Sequence, residues 1–230
     1  MVGDVRAEID HGRDEKPQEH EGRLGGSSHE DAYDKVRERL PGGARMKKTE
    51  VEVKLRVEDP ATVPALLRQI GAAEVHSREF EDNQLYDFPS FSLKMNQSML
   101  RVRILKREST LTYKEAPRVE GGAKVRDEME VVISSGETMA TILSRLGMRP
   151  LFRYQKYRAV YHYSGLIITV DETPIGVFLE LEGPKPLIDE VATQLGYKAS
   201  DYIAKSYLAL YQEYLKLRGL PLKDMLFEAP

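Results

Sequence analysis

The stretch KTEVEVKLRV, residues 48–57, has the two-residue period of a β-strand, and its two faces differ in character. Val51, Val53, Leu55 and Val57 fall on one side of the pleat, and Glu50, Glu52, Lys54 and Arg56 on the other. The division recurs along the chain. MLRVRILK sets Leu100, Val102 and Ile104 against Arg101 and Arg103; TLTYKE sets Leu111 and Tyr113 against Thr112 and Lys114. RDEMEVVI sets Met129, Val131 and Ile133 against Glu128 and Glu130. YQKYRAVY groups Lys156 with Arg158, ITVDE aligns Asp171 with Thr169, and VFLELEG sets Leu179 and Leu181 against Glu180 and Glu182. The polar faces thus carry seven carboxylates (Glu50, Glu52, Glu128, Glu130, Asp171, Glu180, Glu182) and six cations (Lys54, Arg101, Arg103, Lys114, Lys156, Arg158). They are sorted into acid pairs and base pairs, whereas a solvated sheet face mixes Thr, Ser, Gln and Lys without such sorting.

Strand patterns are read over residues 49–57, 76–87, 99–106, 109–115, 125–133, 151–163, 166–171 and 177–182. Amphipathic helices are read over 60–70, 136–146, 185–195 and 201–218, the first three stopping at Gly71, Gly147 and Gly196. ALLRQIGAAEVHSREFEDNQLYDF and TILSRLGMRPLFRYQKYRAVYHY look like two copies of one device, a helix, a glycine stop and a long strand. Apolar strand faces backed by helices place the helices outside a curved sheet and turn the charged faces inward, as the lining of a barrel.

Composition limits what that lining serves. The net charge of −3 over 230 residues gives no global attraction to nucleic acid or to an anionic membrane. Cysteine is absent, which excludes thiolate metal sites and thiol nucleophiles. No apolar run reaches the length of a membrane span, so a cytoplasmic protein is expected. Residues 1–45 are dense in charge and glycine, and are expected to be disordered apart from a transient helix over residues 29–40; His11, His20 and His29 there are read as incidental. The ordered domain is expected over 46–219, with Met46 as an alternative start and 220–230 as a tail. His76 and His162 are read as packing residues, and EGGAK, residues 120–124, as a hairpin turn.

Desolvated ions are unfavourable unless something pairs with them. Acid pairs offer hard oxygen ligands, and without Cys or clustered His they suit Mg2+ or Mn2+ better than zinc. Arg and Lys pairs suit phosphate oxygens. Together they describe a phosphate chain held between cations and metal-bridged carboxylates, which is to say a triphosphate.

The residues that carry these charges resemble the CYTH superfamily of class IV adenylyl cyclases and thiamine triphosphatases, the triphosphate tunnel metalloenzymes. EVEVK is similar to that family's ExExK motif. LRVR, LTYKEA, DEMEV, QKYRAVY, ITVDETPIGVFLELEG and KSYLALY follow in the family's order, over about residues 48–215. The resemblance implies an α+β fold, a closed eight-stranded antiparallel β-barrel with helices packed outside. It implies Glu50, Glu52, Glu180 and Glu182 as metal ligands. Lys54, Arg101, Arg103, Lys114, Arg158 and Lys205 are implied to grip the triphosphate, and Lys156 joins them by pattern. Glu50, Glu52, Lys54, Lys114 and Asp171 are implied to be catalytic, with Glu128 and Glu130 lining the tunnel. The activity expected is metal-dependent hydrolysis of inorganic, thiamine or nucleoside triphosphate by a monomer or homodimer. ELE and RVR look like the triphosphatase branch, and the His-Phe pair that precedes ExExK in class IV cyclases is missing. The alternatives are cyclisation of ATP to cyclic AMP and pyrophosphate, and a non-catalytic module that binds polyphosphate or a nucleotide.

Overall fold

A computed structural model describes residues 44–106 and 108–228. The residues 1–43, with their expected helix and three histidines, lie outside the described residues. Nine strands follow in chain order: β1 Ala44–Val57, β2 Ala73–Asp87, β3 Met99–Ile104, β4 Ser109–Lys114, β5 Arg118–Glu120, β6 Ala123–Ile133, β7 Arg149–Tyr163, β8 Leu166–Thr173 and β9 Gly176–Glu182. Eight of them pair in the order β1-β9-β8-β7-β2-β3-β4-β6, and β6 returns to β1 to close a barrel in which every pairing is antiparallel. The short β5 forms a hairpin with β6 through Gly121 and Gly122, both at positive φ (55° and 79°), so EGGAK is the turn its glycines predicted.

The apolar faces point outward under helices. Val53, Leu55, Ile168, Leu179 and Leu181 are fully or almost fully buried against Leu67 of α1 (Val63–Gln69) and against Ile188 and Val191 of α4 (Lys185–Gln194). Leu143 of α3 (Gly136–Arg145) packs with Val102. A short α2, Ser92–Met95, interrupts the β2–β3 connection. Helix α1 ends on a glycine with φ of 83°, and α3 and α4 end on glycines with φ of 86°. In each the next residue's N–H reaches back to a helical carbonyl: Ala72 to Leu67, Met148 to Leu143 and Tyr197 to Ala192. That Schellman geometry needs a left-handed residue, which is why glycine stands there. The two helix–glycine–strand copies end as barrel neighbours, β2 pairing with β7 from Ala73↔His162 to Asp87↔Arg149.

The last helix, α5, spans Tyr207–Leu217, six residues shorter at its start than the periodicity predicted. Ile203 instead bridges to β1, its N–H donating to the Lys54 carbonyl, and the Ser206 hydroxyl caps the helix by accepting from Ala209 N–H. Helix α5 meets the barrel differently from the others. Tyr207, Leu210, Tyr211 and Leu215 pack with Leu85, Phe152, Tyr154 and Phe178. Phe152, Tyr154 and Phe178 are in phase with the charged Lys156 and Glu180, so α5 covers the continuation of the inward face, where β7 runs past the β8–β9 hairpin. The segment beyond α5 is seated as well. Met225 is fully buried and exchanges backbone hydrogen bonds with β7, Met225 N–H to Arg153 O and Gln155 N–H to Met225 O. No helix among the described residues is long and apolar enough to cross a membrane.

Truncating Met225 to alanine removes a fully buried side chain and is expected to cost about 2–5 kcal/mol of stability. Urea denaturation measures it; a loss below about 0.5 kcal/mol, the range of surface changes, would show that this segment is not seated on the barrel.

Candidate active site

The inward face encloses a cavity of about 400 Å³. Glu50, Glu52 and Lys54 of β1, Arg101 and Arg103 of β3, Lys114 of β4, Glu128 and Glu130 of β6, Lys156 and Arg158 of β7, and Glu180 and Glu182 of β9 all line it. Antiparallel register explains how they pair. Lys54 stands opposite Glu180, and its Nζ lies 2.5 Å from Glu180 Oε1. Lys114 stands opposite Glu128 at 2.6 Å and also donates to both oxygens of Glu50, at 2.9 and 2.7 Å. Arg158 stands opposite Asp171, its Nε and Nη2 each 2.6 Å from a carboxylate oxygen, and it reaches Glu180 as well. Alternation brings the charges to one face, and register brings each acid beside a base.

Two expected residues take other positions. Asp171 is fully buried but does not line the cavity. It lies behind Lys156 and Arg158 and accepts hydrogen bonds from both and from the Tyr207 hydroxyl, so its place is that of a positioning group rather than a contact for a ligand. Lys205 is half-exposed, pairs with Glu213 at 2.6 Å on α5, and is not among the lining residues, although its neighbours Ala204 and Ser206 are. The chain there is extended and points Lys205 away from the cavity, so the structure does not bring it to the other cations.

The reading of the sequence missed Lys124 and Arg126, both buried and both lining the cavity. They precede Glu128 and Glu130 in strict alternation, K-x-R-x-E-x-E, and β6 starts two residues earlier than the pattern suggested. Glu81 of β2, 3.5 Å from both Lys156 and Arg103, was missed as well. Tyr207 adds its ring, 4.5 Å from Lys54 Nζ, to the cavity wall.

Burial and charge pull against each other here. Burial raises the Glu50 carboxyl above its usual range against the pull of Lys114, with Glu52, Glu128 and Glu182 adding to the rise. Burial acts the same way on Glu52, but Lys124, Lys54 and Lys114 overcome it and bring that carboxyl down to about 2. Glu180 is likewise held well below the usual range, with Lys54 and Arg158 prevailing over burial. Burial lowers the Lys124 ammonium, and Glu52 only partly restores it.

One inward pair departs from the rule. Glu52 faces Glu182 directly across β1 and β9, the one like-charged couple of cross-strand partners on the inward face among the described residues. Like charges set opposite each other destabilise a sheet. Lys124 holds Glu52, and Lys48 lies 2.6 Å from Glu182. An all-oxygen donor set fits Mg2+ or Mn2+ by chemistry, and the Glu52–Glu182 couple with Glu50 beside it would hold such an ion. No group of three or more His, Cys, Asp or Glu side chains among the described residues is arranged to hold a metal.

The comparisons agree with this geometry. The family model described as the CYTH domain matches residues 48–207, more than half of the chain. The chain is a CYTH-domain protein. A Methanocaldococcus jannaschii protein named "putative adenylate cyclase" is 27% identical over 174 residues, covering 70% of this chain and 97% of that one. A Pyrococcus horikoshii protein of solved structure is 25% identical with a TM-score of 0.62, over 72% of this chain and 99% of that one. The fold is also shared with a Hippeastrum protein, described as a "putative adenylyl cyclase" with a dominant triphosphatase activity, at 21% identity and a TM-score of 0.55 over 75% and 97% of the two chains.

The carboxyls of Glu52, Glu81, Glu128, Glu130 and Glu180 titrate lower in the folded CYTH domain than their ordinary value of 4.5. Their contribution to stability is therefore complete above the unfolded value and is lost as pH falls from about 4.5 toward 2. Glu50 has the opposite sign: its contribution is complete below the unfolded value and is lost as pH rises through its folded one. With five of these tunnel carboxyls lowered against one raised, the melting temperature of the ligand-free protein should fall steeply below about pH 4.5. Thermal scans between pH 3 and 7 measure it, and a flat profile would show that the tunnel ions are not paired.

Proposed function

We propose that this CYTH domain is a divalent-metal-dependent triphosphatase that hydrolyses the terminal anhydride of a triphosphate held in the tunnel. The observation that carries the reading is a pair of unfilled donors. Arg101 Nε and Arg126 Nε are buried and have no hydrogen-bond acceptor, although Arg126 Nε lies 3.9 Å from Glu50 and Arg101 Nη2 donates to Thr112; both guanidinium groups line the cavity. A buried guanidinium N–H without an acceptor is costly, and phosphate oxygens are its best-matched partner. Arg103, Lys156 and Arg158 line the same space and offer further donors to a polyanion.

The chain's residues divide the work. Arg101, Arg103, Arg126, Lys156 and Arg158 orient the phosphate chain and stabilise charge developing on the leaving phosphate, in a site already built around charge and needing little reorganisation. Asp171 and Tyr207 hold Lys156 and Arg158 at their stations from behind. Glu50, Glu52 and Glu182 would hold the metal; when bound it would polarise phosphoryl oxygens and orient the attacking water. The tunnel's cations serve a small triphosphate, and neither nucleic acid nor a membrane is needed to account for them.

Cyclisation of ATP is the second reading, favoured by the name of the Methanocaldococcus jannaschii relative. Its attacking group is the ribose 3′-hydroxyl at the α-phosphorus, and the leaving group is pyrophosphate. Purified protein with Mg2+ or Mn2+ should release orthophosphate when offered inorganic triphosphate, thiamine triphosphate and ATP separately, and the fastest of the three would name the substrate. Cyclic AMP with pyrophosphate from ATP would replace this reading by the cyclase one. Binding of triphosphate without turnover under either metal would leave a binding module.

Glu50→Gln should lower metal-dependent turnover by at least about 10-fold, the scale of a weakened metal site. Thermal stability should change little, because Lys114 keeps Glu128 at 2.6 Å. Full activity in this variant would remove Glu50 from the reaction.

A further inference from the structure

Lys48 and Lys124 are the two cations that form ion pairs with the like-charged couple of Glu182 and Glu52. Lys48 is half-exposed, does not line the cavity, and reaches Glu182 at 2.6 Å. Lys124 is buried, and its ammonium closes on Glu52. They engage the two carboxylates that face each other across β1 and β9, one from each side. Neither Lys48 nor Lys124 stands beside Glu52 and Glu182 by accident of a long surface side chain. Lys124 is the direct cross-strand partner of Glu52 on the β6 side, and Lys48 is in phase with Glu50, Glu52 and Lys54 along β1.

The charge balance of the tunnel makes this arrangement consequential. The lining carries nine cations and seven carboxylates, and the two buried carboxylates behind it, Glu81 and Asp171, bring the acids to nine as well. A triphosphate therefore enters a lining that its own acids already neutralise. Beyond the open Nε donors of Arg101 and Arg126, the lining cations become free to meet the phosphates only when something else takes over the acids.

We propose that Lys48 and Lys124 are built-in occupants of the divalent-ion site, two ammonium groups supplying the charge of one dication to Glu52 and Glu182, and that they leave those oxygens when the ion binds. The inference rests on the metal-dependent reading and adds a property to it: the empty tunnel excludes its metal. Ammonium and dication compete for the same carboxylate oxygens. Lys124, once released beside the cavity, becomes a donor for phosphate, and Lys48 returns to solvent. The triphosphate rewards the release of Lys124, so metal and triphosphate each tighten the binding of the other by one and the same factor.

The test uses the full chain and Mn2+, whose free aqueous ion is counted by its EPR signal, with diimidotriphosphate as a probe that resists hydrolysis. Protein-free titrations of Mn2+ with the probe set the baseline. Wild-type protein should bind Mn2+ weakly alone and at least tenfold more tightly with the probe present. Lys48→Met and Lys124→Met should each tighten Mn2+ binding to the empty protein about fivefold or more, and Lys124→Met should shrink the coupling. Lys48 is half-exposed, so its variant keeps the test decisive if Lys124→Met fails to fold. Unchanged or weakened Mn2+ binding in these variants, with the probe still bound, overturns the inference and leaves the triphosphatase reading standing. Failure of the probe to bind with or without Mn2+ overturns that reading instead. Mn2+ that binds the empty wild type as tightly as the probe-loaded protein overturns the inference directly.

Discussion

Ions removed from water cost several kcal/mol each unless an opposite charge and further hydrogen bonds meet them, and the barrel of this protein is built around that constraint. Its interior holds charge at a density that a closed sheet tolerates only if each acid lies within reach of a base. Antiparallel register does this without long side-chain excursions. Lys54 meets Glu180, Lys114 meets Glu128, Arg158 meets Asp171 and Lys124 meets Glu52, each across a single pair of strands. A one-residue slip of any strand would turn its charges outward and its leucines and valines inward. Closure between β6 and β1 is thus a condition for the site as well as for the fold, since it sets Glu50 beside Arg126 and Glu52 beside Lys124.

The hydrophobic effect works on the other side of the same strands. Val53, Leu55, Leu179 and Leu181 are buried under α1 and α4, and the alternation that sends them outward sends Glu52, Lys54, Glu180 and Glu182 inward. Apolar burial outside stabilises the strand positions that hold the unfavourable charges inside. Helix α5 belongs to neither arrangement. It covers the inward face where that face turns apolar, at Phe152, Tyr154 and Phe178, and so marks where the charged part of the tunnel stops.

That division explains what was legible from the sequence. Period-two alternation locates the strands and their inward faces from residue types alone, and glycine stops locate the ends of α1, α3 and α4. Register is not written in one strand's pattern, so the pairing of Lys124 with Glu52 could not be read, although the alternation K-x-R-x-E-x-E did contain Lys124 and Arg126. Glu81 escaped because EFEDNQLYD is polar on both faces and gives no contrast between inside and outside. The start of α5 was misplaced because a tertiary contact, Ile203 on β1, holds the preceding residues extended. Lys205 was assigned by its neighbours in a motif, and a position in a motif says nothing about which way an extended segment turns its side chain. Met225 lies in a segment without periodicity, and only the free edge of β7 gives it a place.

Asp171 shows how a residue can matter to the site without touching its contents. It accepts from Lys156, Arg158 and Tyr207 at once, and Tyr207 is the first residue of α5. The hydroxyl of Tyr207 is held well above its ordinary range by burial and by Asp171, so it remains a donor wherever the tunnel's carboxylates are charged. The seat of α5 and the stations of two lining cations are therefore parts of one hydrogen-bonded unit. A movement of α5 would open the tunnel's apolar end and, through the same carboxylate, loosen Lys156 and Arg158. The helix that limits the length of the cavity is thus linked, through one buried aspartate, to the positions of two of the cations that line it.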